Sequence, residues 1–436
     1  MSRDVSRIGM ALLPTPVYRP IALAPLMALM LSIACIGLSQ AENLPLPETP
    51  TLTEREAVGS ALLRPAWVDA ETGRMAQAES VVTEASALPN PVFSISRDRL
   101  AMVGGDITER SVQISQTIDL SGRRSLRVDA ATRRLDAEKL DGRTRRLNTI
   151  ADVRRIFAET LHRNQIQLAL GLWLTRIENA SRVTAQLAKA GEVSGYDRRR
   201  IQREAQTTRA RLSVAQADAA RSREALAVLT GKRPDEVTHL LGNLLPDATP
   251  ALDVLQTRLR QRPDLESLLL QTEAFERERQ AAQRFWIPDL TVGIGQKKLE
   301  EPTRRGSGAI VGVSFSIPLF DHSEAVQQRS QAKAQTVRSE QALALNKAEA
   351  ELRGAWHLAD ELRKAVLAYR HDVSNDSQNL SGIAEAAYRS GEASLLELLD
   401  AYRTELDFST TELDLALRAR LAHIDLETLS GASSYE

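Results

Sequence analysis

Residues 191–194 read GEVS, and residues 391–394 read GEAS, 200 positions further along the chain. Four more short matches recur in the same order, with offsets of 197 to 200 residues. Self-similarity at a fixed period indicates a fold assembled from copies of one unit, so this chain is expected to contain two copies of one structural unit. The other matched pairs are Arg64-Pro65 with Arg262-Pro263, Pro91 with Pro288, residues 112–115 with 311–314, and residues 229–231 with 429–431.

Each half is predicted to contain a helical lead-in, two strands and then very long helices. Residues 92–233 contain no proline, and no proline follows Pro318. Because proline breaks helix interiors, its absence permits long helices, and residues 121–189 would span roughly 100 Å as one helix. Gly191 and Gly391 follow such stretches, so we expect both at helix-to-helix turns, at the end farthest from the strands.

The returning helix of each half carries a stripe of apolar residues. Its members recur at steps of three, four and seven residues, which is the spacing of a coiled-coil seam. Long antiparallel helical hairpins are therefore expected in both halves. The seam residues are Ile201, Ala205, Leu212, Ala215, Ala219, Leu226 and Leu229 in the first half, and Leu395, Leu399, Tyr402, Leu406, Leu413, Leu417, Leu421 and Ile424 in the second.

Four shorter stretches alternate between apolar and polar residues, at residues 91–98, 111–120, 289–296 and 309–319. Alternation over this length is typical of membrane-spanning strands with apolar side chains toward lipid and polar side chains inside a barrel. A soluble hairpin with one face on a helix would show the same pattern. Aromatic residues flank the second pair of strands, where they would form an interfacial belt. These are Phe285, Trp286 and Phe320, and the side chains expected to face lipid are Val112, Ile114, Val311, Val313 and Phe315.

The number of strands limits how they can cross a membrane. Four strands cannot close a lipid-facing barrel, because even small barrels use about eight. Lipid does not tolerate open sheet edges, since their backbone groups would be left unsatisfied. If these strands cross a membrane, several copies of the chain must share one barrel, and three copies would supply twelve strands.

Residues 1–41 have the pattern of an export signal. Three arginines precede an apolar run over residues 21–38, and small residues mark a cleavage site after Ala41. A membrane anchor is the alternative, which Pro25 inside the run disfavours. Cys35 is the only cysteine, and the residues before it loosely match a lipoprotein box, which makes lipidation of Cys35 a second alternative. Cleavage after Ala41 would leave no cysteine for disulfides or thiolate metal sites.

The composition disfavours a nucleic-acid binder and an enzyme. Lys plus Arg total 56 and Asp plus Glu total 57, so the chain lacks the basic footprint that nucleic-acid binding needs. Only 4% of the residues are aromatic, which suits long packed helices better than a globular enzyme. No P-loop, G-x-S-x-G or H-E-x-x-H motif occurs, and Ser330 with Lys333 matches S-x-x-K without the partner motifs. No catalytic residue and no cofactor are predicted.

The histidines and the runs of arginine are interpreted as surface features. The six histidines show no paired spacing typical of metal ligands, so no metal site is predicted. Residues 154–155 and 198–200 are arginine runs, which are expected on solvated helix faces beside acidic residues.

Residues 388–401 read YRSGEASLLELLDA, which is the most specific motif of the chain. RPDL at 262–265, PDLTVG at 288–293, SIPLFD at 316–321 and NP at 90–91 accompany it. With these motifs the chain resembles the TolC-like outer-membrane efflux ducts, and within them the heavy-metal branch of the cobalt–zinc–cadmium type. The resemblance covers nearly the whole chain after the export signal.

The resemblance implies a mainly α fold with a small β part. Long antiparallel helical hairpins would form an α-barrel in a homotrimer, and each chain would add four strands to a shared twelve-stranded barrel in outer-membrane lipid. The expected divisions are the signal peptide at 1–41, a helical lead-in at 42–88, the first membrane hairpin at 89–120, the first helical hairpin at 121–231, a linker with the second lead-in at 232–286, the second membrane hairpin at 287–320, the second helical hairpin at 321–431 and a tail at 432–436.

The resemblance also implies a function and partners. The trimer would be a passive outer-membrane duct with a large periplasmic part, docked to a periplasmic adaptor protein and to an inner-membrane RND-type pump that supplies the energy. The implied substrates are heavy-metal cations. The alternatives are a multidrug or type I secretion duct of the same family, or a periplasmic coiled-coil scaffold without a channel.

The resemblance places the turn at Gly391 at the periplasmic mouth of the tunnel. Glu397 and Asp400 are three residues apart, so both lie on one helical face, and threefold symmetry would repeat each of them into an acidic ring. A surface pair near a helix start is the alternative, because acids there also favour the helix dipole. Asp197 follows Gly191 by six residues, as Glu397 follows Gly391, so Asp197 is assigned to the same pore mouth.

Members of the family can carry a basic latch residue two positions after this glycine. That position is Ala393 here, so any closing ion pair must come from elsewhere. Arg198 and Arg199 are the candidate latch residues.

Overall fold

The computed structural model describes residues 51–376 and 380–431. The expected signal at residues 1–41, with Cys35, lies outside the described residues, as does the tail at 432–436. None of the described helices is both long enough and apolar enough to cross a bilayer.

The two halves of the chain repeat one order of elements. The first half contains β1 (Thr51–Thr53), α1 (Glu54–Leu62), α2 (Pro65–Ser86), β2 (Val92–Leu100), β3 (Ile107–Ile118), α3 (Arg123–Ala190) and α4 (Gly195–Thr230). The second half contains β4 (His239–Leu241), α5 (Leu252–Leu259), α6 (Pro263–Gln283), a 3-10 turn (Arg284–Trp286), β5 (Leu290–Glu300), β6 (Arg305–Phe315), α7 (Glu324–Asp376), α8 (Leu380–Ser390) and α9 (Leu395–Ser430).

The repeated motifs of the sequence meet in space at the ends of helices. Proline occupies the first turn of both α2 and α6, where its missing N–H costs no hydrogen bond. The arginine before each proline reaches the end of a long helix. Nη1 of Arg64 donates to the carbonyl of Leu229 at 3.4 Å, and Nη1 of Arg262 donates to that of Leu429 at 3.2 Å. The start of α2 therefore lies beside the end of α4, and the start of α6 beside the end of α9.

One antiparallel sheet contains the four predicted strands, in the order β2-β3-β5-β6. Two hairpins are joined by the pairing of β3 with β5, which leaves β2 and β6 as the edges of the sheet. All four strands extend further toward the hairpin tips than the alternation predicts, because charged side chains there interrupt the pattern but still pair across strands. Nζ of Lys297, for example, lies 2.5 Å from Oε1 of Glu109.

At the helix-proximal end, two strands stop earlier than predicted. β6 ends at Phe315 and not at residue 319, since Pro318 has no N–H to donate to a ladder. β3 ends at Ile118 and not at residue 120. The carboxylate of Asp119 instead accepts hydrogen bonds from the backbone N–H groups of Ser121 and Arg124, at 2.8 Å and 2.7 Å, and so begins the turn into α3.

The register of the sheet brings its apolar residues together on one face, which we call the apolar band. Serine, threonine, glutamine and glycine occupy most of the opposite face, where the hydroxyls of Thr117 and Thr291 lie 2.9 Å apart. The predicted division into an apolar and a polar face is therefore present. From the helix end to the tips, the band consists of Ile118, Leu290 and Phe315, then Val292 and Val313, then Phe93, Ile114, Ile294 and Val311, then Ile95, Val112 and Ala309.

A second, two-stranded sheet is absent from the sequence prediction. β1 pairs in parallel with β4 and so joins the start of the described chain to the segment between the two halves. Each strand has three residues, which is too short for a period of two to be recognised. The first helical lead-in, described from residue 51, and the linker at 232–286 therefore each contain a short strand that the sequence analysis does not predict.

The long helices pack through the predicted seams. α3 contacts α2, α4, α6 and α9, while α7 contacts α6 and α9. Every predicted seam residue is buried or partly buried, with Ile201, Leu226 and Ile424 fully buried. In the second half, α7 and α8 lie on either side of residues 377–379, which are outside the described residues.

Arg154 contradicts the interpretation of its arginine run as a solvated helix face. Its side chain is 4% exposed and lies between Glu54 of α1 and Glu427 of α9. Nε is 2.6 Å from Oε1 of Glu54, and Nη1 is 2.5 Å from Oε2 of Glu427. Arg420 also contacts Glu54. The sequence does not reveal this burial, because both acids come from elements far away along the chain. Of the two arginines in the run at residues 154–155, Arg155 is the one that fits the surface prediction.

The surface interpretation of the histidines is wrong for His423. Its exposure is 6%, and its Nε2 lies 3.7 Å from Oε1 of Glu427. His162 is half-buried, and its Nε2 lies 2.8 Å from Oδ1 of Asp414. In residues 51–376 and 380–431, no group of three or more His, Cys, Asp or Glu side chains is arranged to hold a metal ion.

Candidate functional site

Two equivalent turns connect the long helices. Gly191 ends α3 with φ of 82°, and Gly391 follows α8 with φ of 80°, a region that glycine adopts without a Cβ clash. In each turn the residue after the glycine donates its N–H to the carbonyl five residues earlier, at 2.9 Å and 2.8 Å, as in a Schellman motif. Both glycines thus lie between two helices, where the repeated GExS motif begins.

Glu397 has a structural role in the helix that follows Gly391. Ser394 is the N-cap of α9, and its Oγ accepts from the backbone N–H of Glu397 at 3.3 Å. The Glu397 carboxylate accepts in return from the Ser394 backbone N–H at 2.7 Å, which completes a capping box. These hydrogen bonds from Ser394 stabilise the charged form and hold the pKa of Glu397 below its ordinary value of 4.5.

Asp197 has the corresponding position at the start of α4. The N-cap is Ser194, whose Oγ accepts from the backbone N–H of Asp197 at 3.1 Å and donates to its Oδ2 at 2.6 Å. The six-residue spacing from glycine to acid in both halves is therefore the geometry of a helix cap. The capping role accounts for this spacing without a pore, so any role at a pore mouth would be additional.

Asp400 lies one turn beyond the cap and is exposed, like Glu397, while Leu398 and Leu399 between them are buried. Arg198 and Arg199 are exposed on α4. Among the described residues, no ion pair joins either arginine to Asp400, Glu397 or Asp197. The structure therefore leaves Glu397, Asp400, Arg198 and Arg199 exposed and Asp197 half-buried, and it does not bring the acids and the candidate latch residues into contact within the described part of one chain.

Other residues hold the two helical hairpins together near these turns, and the sequence analysis did not identify them. Nη2 of Arg403 on α9 lies 2.6 Å from Oε2 of Glu204 on α4. The two residues are 199 positions apart, whereas the repeat offset in this region is 200, so Arg403 corresponds to Arg203 and the repeat does not reveal the pair. Deeper in the packing, the buried hydroxyls of Thr184 and Tyr388 lie 2.7 Å apart and join α3 to α8.

The apolar band is exposed along the described chain. The side chains expected to face lipid include Val311 at 77%, Val313 at 62% and Phe315 at 58% exposure. Trp286 and Phe320, at the helix end of the band, are exposed as well. A face of this length with neither a helix nor a second sheet against it requires an apolar environment, which favours lipid over the soluble-hairpin alternative.

A cavity of about 550 Å³ lies between α3, α6 and α7, close to the sheet. Ser330 and Lys333, which match the S-x-x-K pattern, both line it. Lys333 lies over the ring of Phe275 at 5.2 Å, and Nη2 of Arg123 pairs with Asp289 at 2.7 Å. The lining thus includes an ion pair and a cation stacked on an aromatic ring, at the junction of sheet and helices.

Comparison with known proteins identifies a family and several related proteins. The model of the family described as "Outer membrane efflux protein" matches residues 69–232 and 254–432. The chain is 26% identical over 343 residues to the cobalt-zinc-cadmium resistance protein CzcC of Cupriavidus metallidurans, covering 75% of this chain and 77% of that protein. It is 27% identical over 334 residues to the nickel-cobalt-cadmium resistance protein NccC of Alcaligenes xylosoxydans xylosoxydans, covering 73% and 72%.

Solved structures share the fold. The outer membrane protein VceC of Vibrio cholerae superposes with a TM-score of 0.70 at 18% identity, over 88% of this chain and 97% of that one. The outer membrane channel CmeC of Campylobacter jejuni gives a TM-score of 0.71 at 18% identity, over 87% and 85%. At this identity the likeness concerns the fold, which is a set of long helices with a small sheet.

Proposed function

Since the chain belongs to the outer membrane efflux protein family, we propose that it is the trimeric duct through which a tripartite exporter releases heavy-metal cations. Family membership makes it an outer-membrane efflux channel with a large periplasmic helical part. A periplasmic scaffold without a channel does not fit this family. Our proposal goes beyond family membership in four points, which are the trimeric state, the adaptor, the RND-type pump and the metal substrate.

The two open edges of the sheet support the trimer. β2 and β6 each present an unpaired row of backbone N–H and C=O groups beside an exposed apolar band. Such edges cannot remain open in lipid. Pairing β6 of one copy with β2 of the next satisfies both edges, and three copies close a barrel of twelve strands, within the range of membrane barrels.

The metal substrate is supported by the relatives. The names of CzcC and NccC describe resistance to cobalt, zinc, cadmium and nickel. Deleting this chain from its host should lower tolerance to cobalt, zinc or cadmium ions more than tolerance to an organic dye, measured as growth inhibition. Expressing the chain again in the deletion strain should restore the metal tolerance. A loss of dye tolerance with unchanged metal tolerance would instead favour the multidrug alternative.

We further propose that Glu397 and Asp400, with Asp197, line a cation-selective mouth at the turns of Gly191 and Gly391. Both acids of α9 are exposed on one side of the helix, and threefold symmetry repeats each of them into a ring. Rings of carboxylates select cations. Arg198 and Arg199, which have no acidic partner among the described residues of their own chain, are available to pair with a neighbouring copy when the duct closes.

Replacing Glu397 with Gln and Asp400 with Asn should lower the cation preference of the channel severalfold in planar bilayers. Gln retains the capping box, so α9 should still begin at the same residue and the trimer should still form. A Glu397→Asp, Asp400→Glu variant carries the same charges and should stay cation-selective. Because hydrogen bonds from Ser394 lower the pKa of Glu397, the contribution of Glu397 should persist as the pH falls through 4.5. Unchanged selectivity of the Gln/Asn variant would contradict the acidic mouth.

A further inference from the structure

Three cations lie in one row across the sheet. Arg97 of β2 is directly opposite Arg110 of β3, which is directly opposite Lys298 of β5. Strand parity puts this row on the same face as the apolar band, one step beyond Ile95 and Val112 toward the hairpin tips. All three side chains are exposed. We call these three residues the basic row.

The basic row destabilises the sheet unless an anion binds to it. Like charges directly opposite each other on one face of a sheet destabilise it. Among the described residues, Arg97 and Lys298 have no carboxylate within 4.0 Å, and Arg110 has only Glu300, at 3.9 Å from Nη2. On the opposite face at this level, by contrast, Lys297 is paired with Glu109 at 2.5 Å. The polar face thus has a close ion pair at this level, whereas the three cations beside the apolar band share one carboxylate, at 3.9 Å from Arg110.

The position of the basic row relative to the apolar band indicates how deep the row lies in the membrane. Four rows of the apolar band, at two residues per row and about 3.4 Å per residue, extend for roughly 20 Å along the strands. The basic row is one row further, and because strands of membrane barrels tilt by about 35–45°, its height above the helix end of the band is about 20 Å along the membrane normal. The apolar face of such a barrel is about 25 Å tall, so the basic row lies near the edge of the hydrocarbon, beside the headgroups. The helices attach at the other end of the sheet, so the row belongs to the leaflet opposite the periplasm.

We propose that the basic row binds the phosphate groups of a phosphorylated lipid in the outer leaflet. This inference rests on the proposed placement of the strands across the outer membrane. Guanidinium and ammonium groups are common phosphate ligands in proteins, and the guanidinium groups of Arg97 and Arg110 are able to bind phosphate through two hydrogen bonds at once. Neighbouring strands are 4.7–4.9 Å apart, so the row spreads its charges over about 10 Å, a width that suits two phosphates on one headgroup.

A lipid accounts for the row better than a free anion does. The cations border directly on Ile95 and Val112, whose exposed side chains would contact the acyl chains of the same molecule. Inorganic phosphate has no group for that surface. Charge complementarity and continuity with the apolar band therefore select an amphiphile with an anionic headgroup.

Native mass spectrometry of the detergent-solubilised full chain tests the proposal, because one spectrum reports both the oligomer and the lipids bound to it. The wild type should bind diphosphorylated lipid A more tightly than phosphatidylcholine. Changing Arg97, Arg110 and Lys298 together to Gln should weaken lipid A binding about a hundredfold, because each cation near an anionic membrane surface contributes about fivefold. An Arg97→Lys, Arg110→Lys variant retains the three charges and should bind lipid A nearly as well as the wild type.

Three results would overturn the proposal. The first is an equal affinity of the wild type and the Gln variant for lipid A, and the second is an equal affinity of the wild type for phosphatidylcholine and lipid A. The third is displacement of lipid A by inorganic phosphate in the millimolar range, which would indicate a site for free anions. Failure of the duct assignment looks different in the same spectra. The wild type would then appear without a trimer, whatever lipid is added.

Discussion

Replacing Arg154 with methionine should lower the free energy of unfolding by about 3–5 kcal/mol, which is the cost of removing one partner from a buried ion pair. Arg154 is 4% exposed and contacts the carboxylates of Glu54 and Glu427. Methionine fills much of the volume but leaves both acids without their cation. Unfolding in urea, followed by the helical circular dichroism of the detergent-solubilised protein, measures the loss.

The neighbouring arginine provides the matched control. Arg155 is on the same helix and pairs with Asp425 at 2.7 Å, but its side chain is 34% exposed. A surface pair of this kind contributes about 0–1 kcal/mol, so Arg155→Met should unfold close to the wild type. Equal losses for the two variants would show that burial of Arg154 does not determine its contribution.

The pH dependence of the same variant adds a second measurement. Burial raises the pKa of Glu427, but His423 and Arg154 outweigh that effect and hold it below its ordinary value of 4.5. A carboxylate with a lowered folded-state pKa stabilises the protein above its unfolded pKa, and that contribution is lost as the pH falls through the folded value. The advantage of the wild type over Arg154→Met should therefore be largest near neutral pH and shrink below pH 4.5. An advantage that grows in acid would contradict the pairing.

Replacing Val313 with arginine should prevent or strongly reduce assembly of the trimer in membranes. Val313 lies in the second of the four rows of the apolar band, with 62% of its side chain exposed. An arginine facing lipid near the bilayer midplane costs about 2–4 kcal/mol, and three copies repeat that cost in one barrel. Heat-modifiable migration of the trimer from outer-membrane fractions is the measurement.

The adjacent residue tests the opposite face of the same strand. Ser314 is paired with Thr291 on the polar face of the sheet, which would line the interior of the barrel. Ser314→Arg adds the same side chain at nearly the same depth, but toward water, and substitutions there are expected to change selectivity more than assembly. If Val313→Arg assembles as well as Ser314→Arg, the apolar band does not face lipid.

Features with a local period could be predicted from the sequence. The alternation of the strands and the seams of the helices reflect which side chains share a face of one element, and that depends only on strand or helix geometry. The turn motif is local too, because the N–H of Gly391 donates to the nearby carbonyl of Tyr388, and Ser394 and Glu397 satisfy each other's backbone N–H groups. Repetition of these patterns, with the family motifs, was enough for the fold class and the efflux function.

Features that depend on pairing between distant segments were decided by the tertiary structure. Arg154 is buried only because α1 and α9 bring acids to it from opposite ends of the chain, so its sequence neighbourhood looks like that of Arg155. The basic row likewise exists only in the observed register, since a shift of one residue between strands would move each cation to the other face. The sequence by itself determined the elements and the faces that they present. The tertiary packing alone decided which charged side chains form ion pairs and which remain exposed without one. The electrostatic free energy depends on distances between charges, and the local periodicity of a sequence does not determine those distances.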